Sequence, residues 1–126
     1  MSSPIPTGIK LRKASRTLEL EYADGTRFSL PAEFLRVHSP SAEVQGHGQP
    51  ILQTGKQNVA LVGLEPAGNY ALKLVFDDGH DSGLYSWDYL YRLGQDQDRL
   101  WQEYLDRLRR AGASRDPDVS VVRILP

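Results

Sequence analysis

The sequence predicts an α+β domain, with a mainly antiparallel sheet on which C-terminal helices pack. The first part of the chain alternates apolar and polar residues with a period of two, which is typical of half-buried strands. The last part repeats apolar residues at intervals of three and four, which is typical of amphipathic helices. Strands therefore come first and helices last, an order that favours helices packed on an antiparallel sheet.

Three strands of a meander are predicted after residues 1–8, whose prolines and small polar residues indicate a flexible leader. The alternating apolar residues of these strands are Ile9, Leu11, Leu18, Leu20, Tyr22, Phe28 and Leu30. Asp24-Gly25 is a pair that favours a tight hairpin turn between the second and third strands. Pro31 then suits the first position of a short helical turn over residues 32–36.

Residues 37–56 lose the apolar rhythm and contain many serines, prolines and glycines. They are predicted to form a long loop between two groups of strands. Loops of this length are uncommon in compact domains and are usually either functional or disordered, so both alternatives stay open.

A second group of strands is predicted after the loop. Apolar residues return at Val59, Leu61, Val62 and Leu64, before a turn at residues 66–68. The cleanest alternation in the chain predicts a central, buried strand whose inner face is formed by Tyr70, Leu72, Leu74 and Phe76. Asp77-Asp78-Gly79 ends this strand, and residues 84–85 leave room for only a brief further strand.

Two helices are predicted at the end of the domain. Ser86 suits the N-cap of the first, and Gly94 suits a left-handed residue where it ends. The second helix ends at Gly112 and has one apolar stripe, expected to face the sheet, formed by Leu100, Trp101, Tyr104, Leu105 and Leu108. Its wet side is expected to carry two i,i+4 ion pairs, Glu103 with Arg107 and Asp106 with Arg110.

These elements predict a single domain over residues 9–112. Residues 113–126 start polar and finish with an apolar run. This tail is predicted to be disordered or to add an edge strand, and a third alternative is a peptide that docks on a partner.

The composition excludes several classes of function. The 126-residue chain has no cysteine, so it can supply no disulfide, thiolate nucleophile or thiolate ligand for an iron–sulfur cluster. Its formal net charge of −1 disfavours general binding to nucleic acid or anionic lipid. It has neither an export signal nor a long apolar run, so a soluble cytoplasmic location without membrane contact is expected.

Candidate chemistry is concentrated around one acidic turn. Its aspartates could hold a hard cation or transfer a proton, but such residues usually accept backbone hydrogen bonds; they are Asp77, Asp78, Asp81 and Asp88. His80 could be a metal ligand or could make a structural hydrogen bond. No histidine lies in the His-x-Asp/Glu pattern of iron-dependent oxygenases. Serine-hydrolase, P-loop and dinucleotide motifs are also absent.

Aromatic residues follow this turn at Tyr85, Trp87, Tyr89 and Tyr91. An exposed cluster could stack on a ligand or partner, whereas aromatics at a helix start usually pack in the core. Packing is predicted for the group, with Tyr91 as the residue expected to be exposed.

Together these residues resemble the gamma-butyrobetaine hydroxylase N-terminal-like family, which includes stand-alone bacterial domains of unknown function. The resemblance covers roughly residues 10–110 and rests above all on Asp78-Gly79-His80, Gly83, Tyr85, Trp87 and Leu90. Weaker support comes from Asp24-Gly25, Leu30-Pro31, Leu35-Arg36, Gly68 and Tyr70-Ala71. The resemblance implies the fold of that family.

The resemblance also implies that a metal site has been lost. In relatives that bind zinc, a Cys-Pro-Cys-x-x-Cys segment joins the histidine of the Asp-Gly-His turn in a closed Cys₃His site. Here Ser39, Ser41 and Val44 stand at the cysteine positions, so only His80 remains of the four ligands. We therefore expect no metal and no cofactor, with His80 as a vestigial ligand.

The functional prediction is a stand-alone, non-catalytic adaptor that docks another protein through the 37–56 loop and the Asp-Gly-His turn. The residues expected at this interface are Arg36, His38, Asp78, His80, Asp81, Tyr85 and Tyr91. In relatives the module precedes an oxygenase domain or is fused to ATPases of iron–sulfur cluster assembly, so the resemblance implies such a link by analogy only. The alternative is a small enzyme or ligand-binding protein with a proton-transfer site around His80, using Asp78, Asp81 and Tyr85.

Overall fold

The computed structural model describes residues 4–46 and 49–119, in which two antiparallel three-stranded sheets are accompanied by four helices. The first sheet is β1 (Gly8–Arg12), β2 (Thr17–Glu21) and β3 (Arg27–Pro31). The second is β4 (Leu61–Ala67), β5 (Ala71–Phe76) and β6 (Leu84–Ser86). The helices are α1 (Ala32–Val37), α2 (Ala42–Gln45), α3 (Trp87–Gln95) and α4 (Gln97–Ala111). The predicted α+β fold class, with helices at the C-terminal end, is confirmed.

The first sheet is the meander that the alternating sequence predicts. Leu18 on β2 lies opposite Leu11 on β1 and Leu30 on β3, and both Leu18 and Leu30 are fully buried. In the second hairpin turn Gly25 has a φ of 90°, and the Asp24 carboxylate accepts the backbone N–H of Thr26 at 3.0 Å. Glycine adopts a positive φ without a steric penalty, which is why this dipeptide closes the hairpin.

In the second sheet β5 is the central strand, and it directs the predicted residues Leu72, Leu74 and Phe76 into the core. The prediction is wrong for Tyr70, which precedes β5 and is 58% exposed. The alternation of the sequence assigns Tyr70 to the inner face, but β4 continues to Ala67 and the chain turns at Gly68, which has a φ of 56°. Tyr70 therefore lies in the turn, outside the strand.

Helix α3 begins and helix α4 ends at the predicted residues, but the predicted end of α3 is wrong. Ser86 caps α3 by accepting the backbone N–H of Tyr89 at 3.1 Å, and Gly112 ends α4 with a left-handed φ of 63°. Gly94, in contrast, lies inside α3 without a positive φ, so the prediction that it ends the helix is wrong. Its role is close packing, because a Cβ at Gly94 would come within 2.3 Å of the Phe28 ring.

Helix α4 packs against α1 as well as against the main core. Trp101 is half-buried and lies edge-on to Phe34, with 6.4 Å between the ring centres. Leu108 packs with Val37 of α1 and with Tyr104 in a small cluster beside the main core. The apolar stripe is therefore turned inward as expected, but much of its contact surface is α1. In residues 4–46 and 49–119, no helix has both the length and the apolar character needed to cross a bilayer.

The predicted ion pairs on α4 are wrong. Glu103 pairs with Arg99, one turn before it, and Asp106 pairs with Arg109. A glutamate has a neighbour at four residues on either side, and the shorter aspartate reaches a guanidinium three residues away, so spacing alone does not choose the partner.

The first part of the tail, residues 113–119, forms no strand and runs beside the long loop. Backbone N–H groups of the loop donate to carbonyls of the tail, Gly55 to Ser114 and Gln57 to Arg115, each at 2.9 Å. Arg115 also makes two 2.7 Å hydrogen bonds to the buried carboxylate of Glu33 on α1. These contacts anchor the described part of the tail. Residues 120–126, on which the edge-strand and disorder predictions also fall, lie outside the described residues.

Candidate functional site

The candidate site lies where the turn between β5 and β6 meets the long loop after α1. The turn has the predicted Asp-Gly-His sequence, and Gly79 takes a φ of 89°, which favours glycine. The Asp78 carboxylate accepts the backbone N–H of His80 at 3.1 Å, and the His80 carbonyl accepts the Phe76 N–H at 3.0 Å. This backbone places His80 inside the protein, where the residue is 5% exposed.

His80 is joined to the loop by a buried hydrogen bond. Its Nε2 lies 2.8 Å from the hydroxyl oxygen of Ser39, a residue with no exposed surface. The backbone N–H of Ser41 donates to the same Ser39 hydroxyl at 3.2 Å. The Ser41 hydroxyl lies 2.7 Å from that of Ser82, so two side-chain contacts join the turn to the loop.

The second ring nitrogen of His80 faces Glu43 on α2. Nδ1 lies 3.3 Å from a carboxylate oxygen of Glu43, without the alignment of a hydrogen bond. The Glu43 side chain is largely exposed, so water screens its charge. Burial lowers the pKa of His80 and the nearby charge of Arg36 lowers it further, against the opposing influence of Glu43 and Asp78. The folded protein therefore favours the neutral imidazole.

An ion-pair cluster lies beside this hydrogen bond. Nε of Arg36 donates to the Asp78 carboxylate at 2.8 Å, and Nη1 donates to the side-chain oxygen of Gln53 at 3.1 Å. Nζ of Lys56 donates to the same Asp78 oxygen at 2.9 Å. Partial burial raises the pKa of Asp78, but hydrogen bonds from Lys56, the His80 backbone and Arg36 outweigh it and lower the pKa to about 2. Asp78 is therefore ionised at neutral pH and ties the loop to the turn.

Three tyrosine hydroxyls donate to backbone carbonyls of α1 and the loop. The pairs are Tyr85 with Leu35 and Tyr89 with His38, both at 2.5 Å, and Tyr104 with Gln53 at 2.7 Å. Burial raises the pKa of each of these phenols. They therefore remain protonated donors at neutral pH and hold the loop in place.

Four of the seven residues that the sequence assigns to an interface belong to this internal network. Arg36 and His80 are buried, and Asp78 is paired with two cations. Tyr85 has no exposed surface, and its hydroxyl is engaged with Leu35. These four side chains are close together as the sequence suggests, but their polar atoms serve the fold.

The side chains of the other three interface residues make no hydrogen bond to this network, although the backbone carbonyl of His38 accepts the Tyr89 hydroxyl. His38 is half-buried, with Nδ1 2.9 Å from the Phe34 carbonyl. Asp81 lies exposed in the turn. Tyr91, which the sequence analysis expects to be exposed, is half-buried and packs edge-on against Tyr22 and Phe28, with ring-centre distances of 5.3 and 5.5 Å. Tyr91 is covered because the helical turn of α3 places it over the first sheet.

Sequence reasoning missed three members of the network, Ser82, Gln53 and Lys56. Ser82 follows His80 by two residues, and a hydroxyl at that position opposite two loop serines is a signal that could have found it. Gln53 and Lys56 lie in an irregular segment, where no periodicity indicates which way a side chain points.

The family of the chain follows from one comparison. A model of the family described as gamma-butyrobetaine hydroxylase-like, N-terminal, matches residues 9–91. The chain belongs to the gamma-butyrobetaine hydroxylase-like N-terminal family. The match spans both sheets and the Asp-Gly-His turn, and it confirms the resemblance inferred from the sequence.

Solved structures resemble this member of the family over most of its length. One NMR solution structure is 64% identical, with a TM-score of 0.84 over 99% of this chain and 100% of that one. A second NMR solution structure is 53% identical, with a TM-score of 0.80 over 98% of this chain and 94% of that one. A crystal structure of a protein of unknown function from Acidithiobacillus ferrooxidans, of the DUF971 family, is 39% identical. Its TM-score is 0.63 over 74% of this chain and 98% of that one. No curated protein matches the chain.

The residues at the positions that the resemblance assigns to zinc ligands do not fit zinc in this member. Ser39 and Ser41 offer neutral hydroxyls, and the buried Val44 has no donor atom, so His80 alone is a suitable ligand. Across residues 4–46 and 49–119, no group of three or more His, Cys, Asp or Glu side chains is arranged to hold a metal. The Ser39–His80 hydrogen bond joins the two segments that zinc would join in a metal-binding relative.

The contacts from Ser39 to His80 and from His80 to Glu43 are similar to those between the nucleophile, base and acid of a serine hydrolase. The distances of 2.8 Å and 3.3 Å along this series are also similar. The hydroxyl is covered, however, because a Cβ placed on Gly83 would lie 2.7 Å from it. A substrate carbon has to approach the attacking oxygen to about 3–3.5 Å, and Ser39 has no exposed surface at which this could occur. In this conformation the three residues are a structural connection.

The free energy of unfolding is expected to depend on pH because His80 is buried and His38 is half-buried. Burial lowers the pKa of both His80 and His38 below the value of about 6.5 that an unfolded chain has. Below that pH the unfolded chain binds more protons than the folded protein, so the free energy of unfolding falls as the pH drops from 6.5. Urea unfolding at pH 7.5, 6.5 and 5.5 measures this. The double variant His38→Gln/His80→Asn is expected to flatten the dependence, and a wild-type midpoint that stays constant over the range would contradict the expectation.

Proposed function

We propose that this family member is a non-catalytic accessory domain that docks another protein through the 37–56 loop and the Asp-Gly-His turn. One observation carries the proposal. The polar groups of Arg36, Asp78 and Tyr85 are paired inside the fold, and the loop that they hold turns an apolar side chain outward. That side chain is Ile51, which is 55% exposed.

The loop around Ile51 is held at several points. The backbone N–H of Ile51 donates to the Val44 carbonyl at 2.6 Å. Two residues later, Gln53 accepts from Arg36 through its side chain and from Tyr104 through its carbonyl. A loop that is already ordered loses less conformational entropy when a partner binds, which favours its use as a docking surface.

The class of partner is proposed by analogy with the family. Relatives precede an oxygenase domain or are fused to ATPases of iron–sulfur cluster assembly, and a cytoplasmic protein of one of these systems is the partner that the analogy favours. The acidic turn and the apolar loop would contribute the contact surface, with Asp81 and Ile51 as its exposed residues.

A second candidate function is a small enzyme that uses His80 for proton transfer. The observation in its favour is the series Ser39, His80, Glu43. The buried position of the Ser39 hydroxyl opposes it, because a nucleophile needs an open approach. A fluorophosphonate probe, which labels activated serines, is therefore expected not to react with Ser39. Labelling that disappears in His80→Asn would support the enzyme and contradict the adaptor.

The variant His80→Asn separates the two functions. If His80 only makes a hydrogen bond within the fold, the variant should lose roughly 0.5–1.5 kcal/mol of unfolding free energy, the net contribution of one such bond. Its capture of partner proteins should then match that of the wild type. If His80 also transfers a proton, the variant should in addition lose activity by about 10²–10⁴-fold.

Affinity capture from the native cell provides the binding measurement, with urea unfolding on the same preparations. Wild type, His80→Asn and Ile51→Asp serve as matched baits. Proteins captured by wild type and His80→Asn, and lost with Ile51→Asp, would support docking through the loop. A set of proteins that Ile51→Asp retains in full would contradict it.

A further inference from the structure

A small cleft lies between the long loop and the helices α1 and α4. Its floor is apolar and deep, formed by Val37 and Val44, which are 8% and 2% exposed. Pro50, Ile51 and Leu52 of the loop and Arg107 of α4 also line the cleft. The cleft borders the loop that is proposed above as the docking surface, and Ile51 is an exposed residue at its rim.

The size of the cleft limits what it can hold. Its volume is about 190 Å³. Pockets for metabolites and cofactors usually measure roughly 300–1,000 Å³, so a molecule of that size would not be enclosed. A cleft of this size fits one aliphatic side chain. Anchor residues at the centre of protein interfaces fill pockets in the same way.

Unpaired arginines near the cleft indicate which residues should flank the aliphatic anchor in a partner. Among the described residues, Arg99, Arg109 and Arg115 each lie within ion-pair distance of a carboxylate. Arg107 and Arg110 lie within ion-pair distance of none, in the part of the chain that the structure describes. They are three residues apart on α4 and therefore share one face of the helix. Arg107 lines the cleft, and Arg110 lies one turn further along α4. The two guanidinium groups complement carboxylates on a partner that reaches from the cleft along this face of the helix.

We infer that the cleft takes an aliphatic side chain from an acidic segment of a partner protein, with the carboxylates of that segment at Arg107 and Arg110. The inference rests on the proposed docking function and specifies the chemistry of the partner. Apolar burial would supply the affinity, because the aliphatic anchor leaves water. The two arginines would supply selectivity for an acidic segment and a dependence on salt.

A peptide titration followed by NMR tests the inference even while the partner protein is unidentified. The probe is a synthetic peptide with one leucine between aspartates and glutamates, added at millimolar concentration to isotope-labelled protein. We expect shifts of backbone amides in residues 37–38, 44–45 and 51–53. Replacing the leucine of the peptide by serine should weaken binding by about tenfold or more, since the anchor is lost.

Charge variants of the protein complete the test. Arg107→Glu should weaken binding of the leucine peptide by about tenfold. Lys13→Glu makes the same change of charge in the turn before β2 and should leave binding unchanged. The spectrum of each variant shows whether it is folded. Absence of shifts, equal binding of the serine peptide, or shifts confined to the second sheet around Val62 and Leu84 would overturn the inference.

The variant Arg107→Glu also separates the failure of this inference from the failure of the proposed function. If Arg107→Glu as bait captures the same cell proteins as wild type and the peptide does not bind, the cleft inference fails and docking stands. If the leucine peptide binds as expected and wild type captures no protein that Ile51→Asp loses, the cleft stands as a binding site and the docking function fails.

Discussion

Arg36→Met is expected to lower the free energy of unfolding by about 2–3 kcal/mol. The Arg36 side chain is 9% exposed and joins the carboxylate of Asp78 to the side chain of Gln53. Methionine keeps the apolar stem but leaves both acceptors without this donor. Breaking a buried ion pair typically costs about 3–5 kcal/mol, and a loss somewhat below this range is expected here because Lys56 still pairs with Asp78.

Urea unfolding of Arg36→Met can be compared with an exposed control. Arg12→Met removes a 2.8 Å ion pair with Glu19 on the surface of the first sheet. Exposed pairs contribute about 0–1 kcal/mol, so this control should change little. Equal losses in the two variants would mean that the Arg36 cluster does not hold the loop. The double variant Arg36→Met/Asp78→Asn should lose less than the sum of the single losses, because the carboxylate charge is removed together with its partner.

Local sequence patterns predict the strands and helices of this protein because each depends on neighbours a few residues apart. The inward face of β5, the Asp24-Gly25 turn and the Ser86 cap are all local in this sense. The errors occur where a residue has two local interpretations. Gly94 is compatible with a helix end and with close packing, and contact with Phe28, far away in the sequence, decides between them.

The site is less predictable because its contacts join distant segments. Ser39 and His80 are 41 residues apart, and Glu33 and Arg115 are 82 apart. No periodicity relates such pairs. The Ser39–His80 contact could still be anticipated, because the family resemblance places both positions in one metal site. The Glu33–Arg115 pair has no such signal, and its discovery depends on the structure.

The resemblance implies cysteine in zinc-binding relatives at two positions where this member has serine, Ser39 and Ser41. Zinc in a closed site joins loop and turn through four bonds, and each ligand is held by the metal. In this member a hydrogen bond between Ser39 and His80 makes the same connection, with support from the Ser41–Ser82 contact and the Arg36–Asp78 ion pair. The connection needs no metal, and it keeps Ser39 and Ser41 beside the turn that carries His80.

The triple variant Ser39→Cys/Ser41→Cys/Val44→Cys is therefore expected to bind about one zinc ion per chain, which the wild type is not expected to do. Three thiolates and His80 would form a Cys₃His site, the type of set that structural zinc prefers. Without metal, the variant should be less stable than wild type by roughly 0.5–1.5 kcal/mol through loss of the Ser39–His80 hydrogen bond. With zinc at 100 times its dissociation constant, the variant should regain about 2.7 kcal/mol.

Elemental analysis after gel filtration measures the zinc content, and the absorption of the cobalt-substituted variant reports tetrahedral thiolate coordination. Urea unfolding with and without zinc gives the stabilisation. The matched control adds His80→Asn to the three cysteines, which removes the fourth ligand and should weaken zinc binding by about tenfold or more. If the control binds zinc as tightly as the triple variant, His80 lies outside the coordination sphere. The Ser39–His80 contact would then not occupy the position of the zinc ion in a zinc-binding relative.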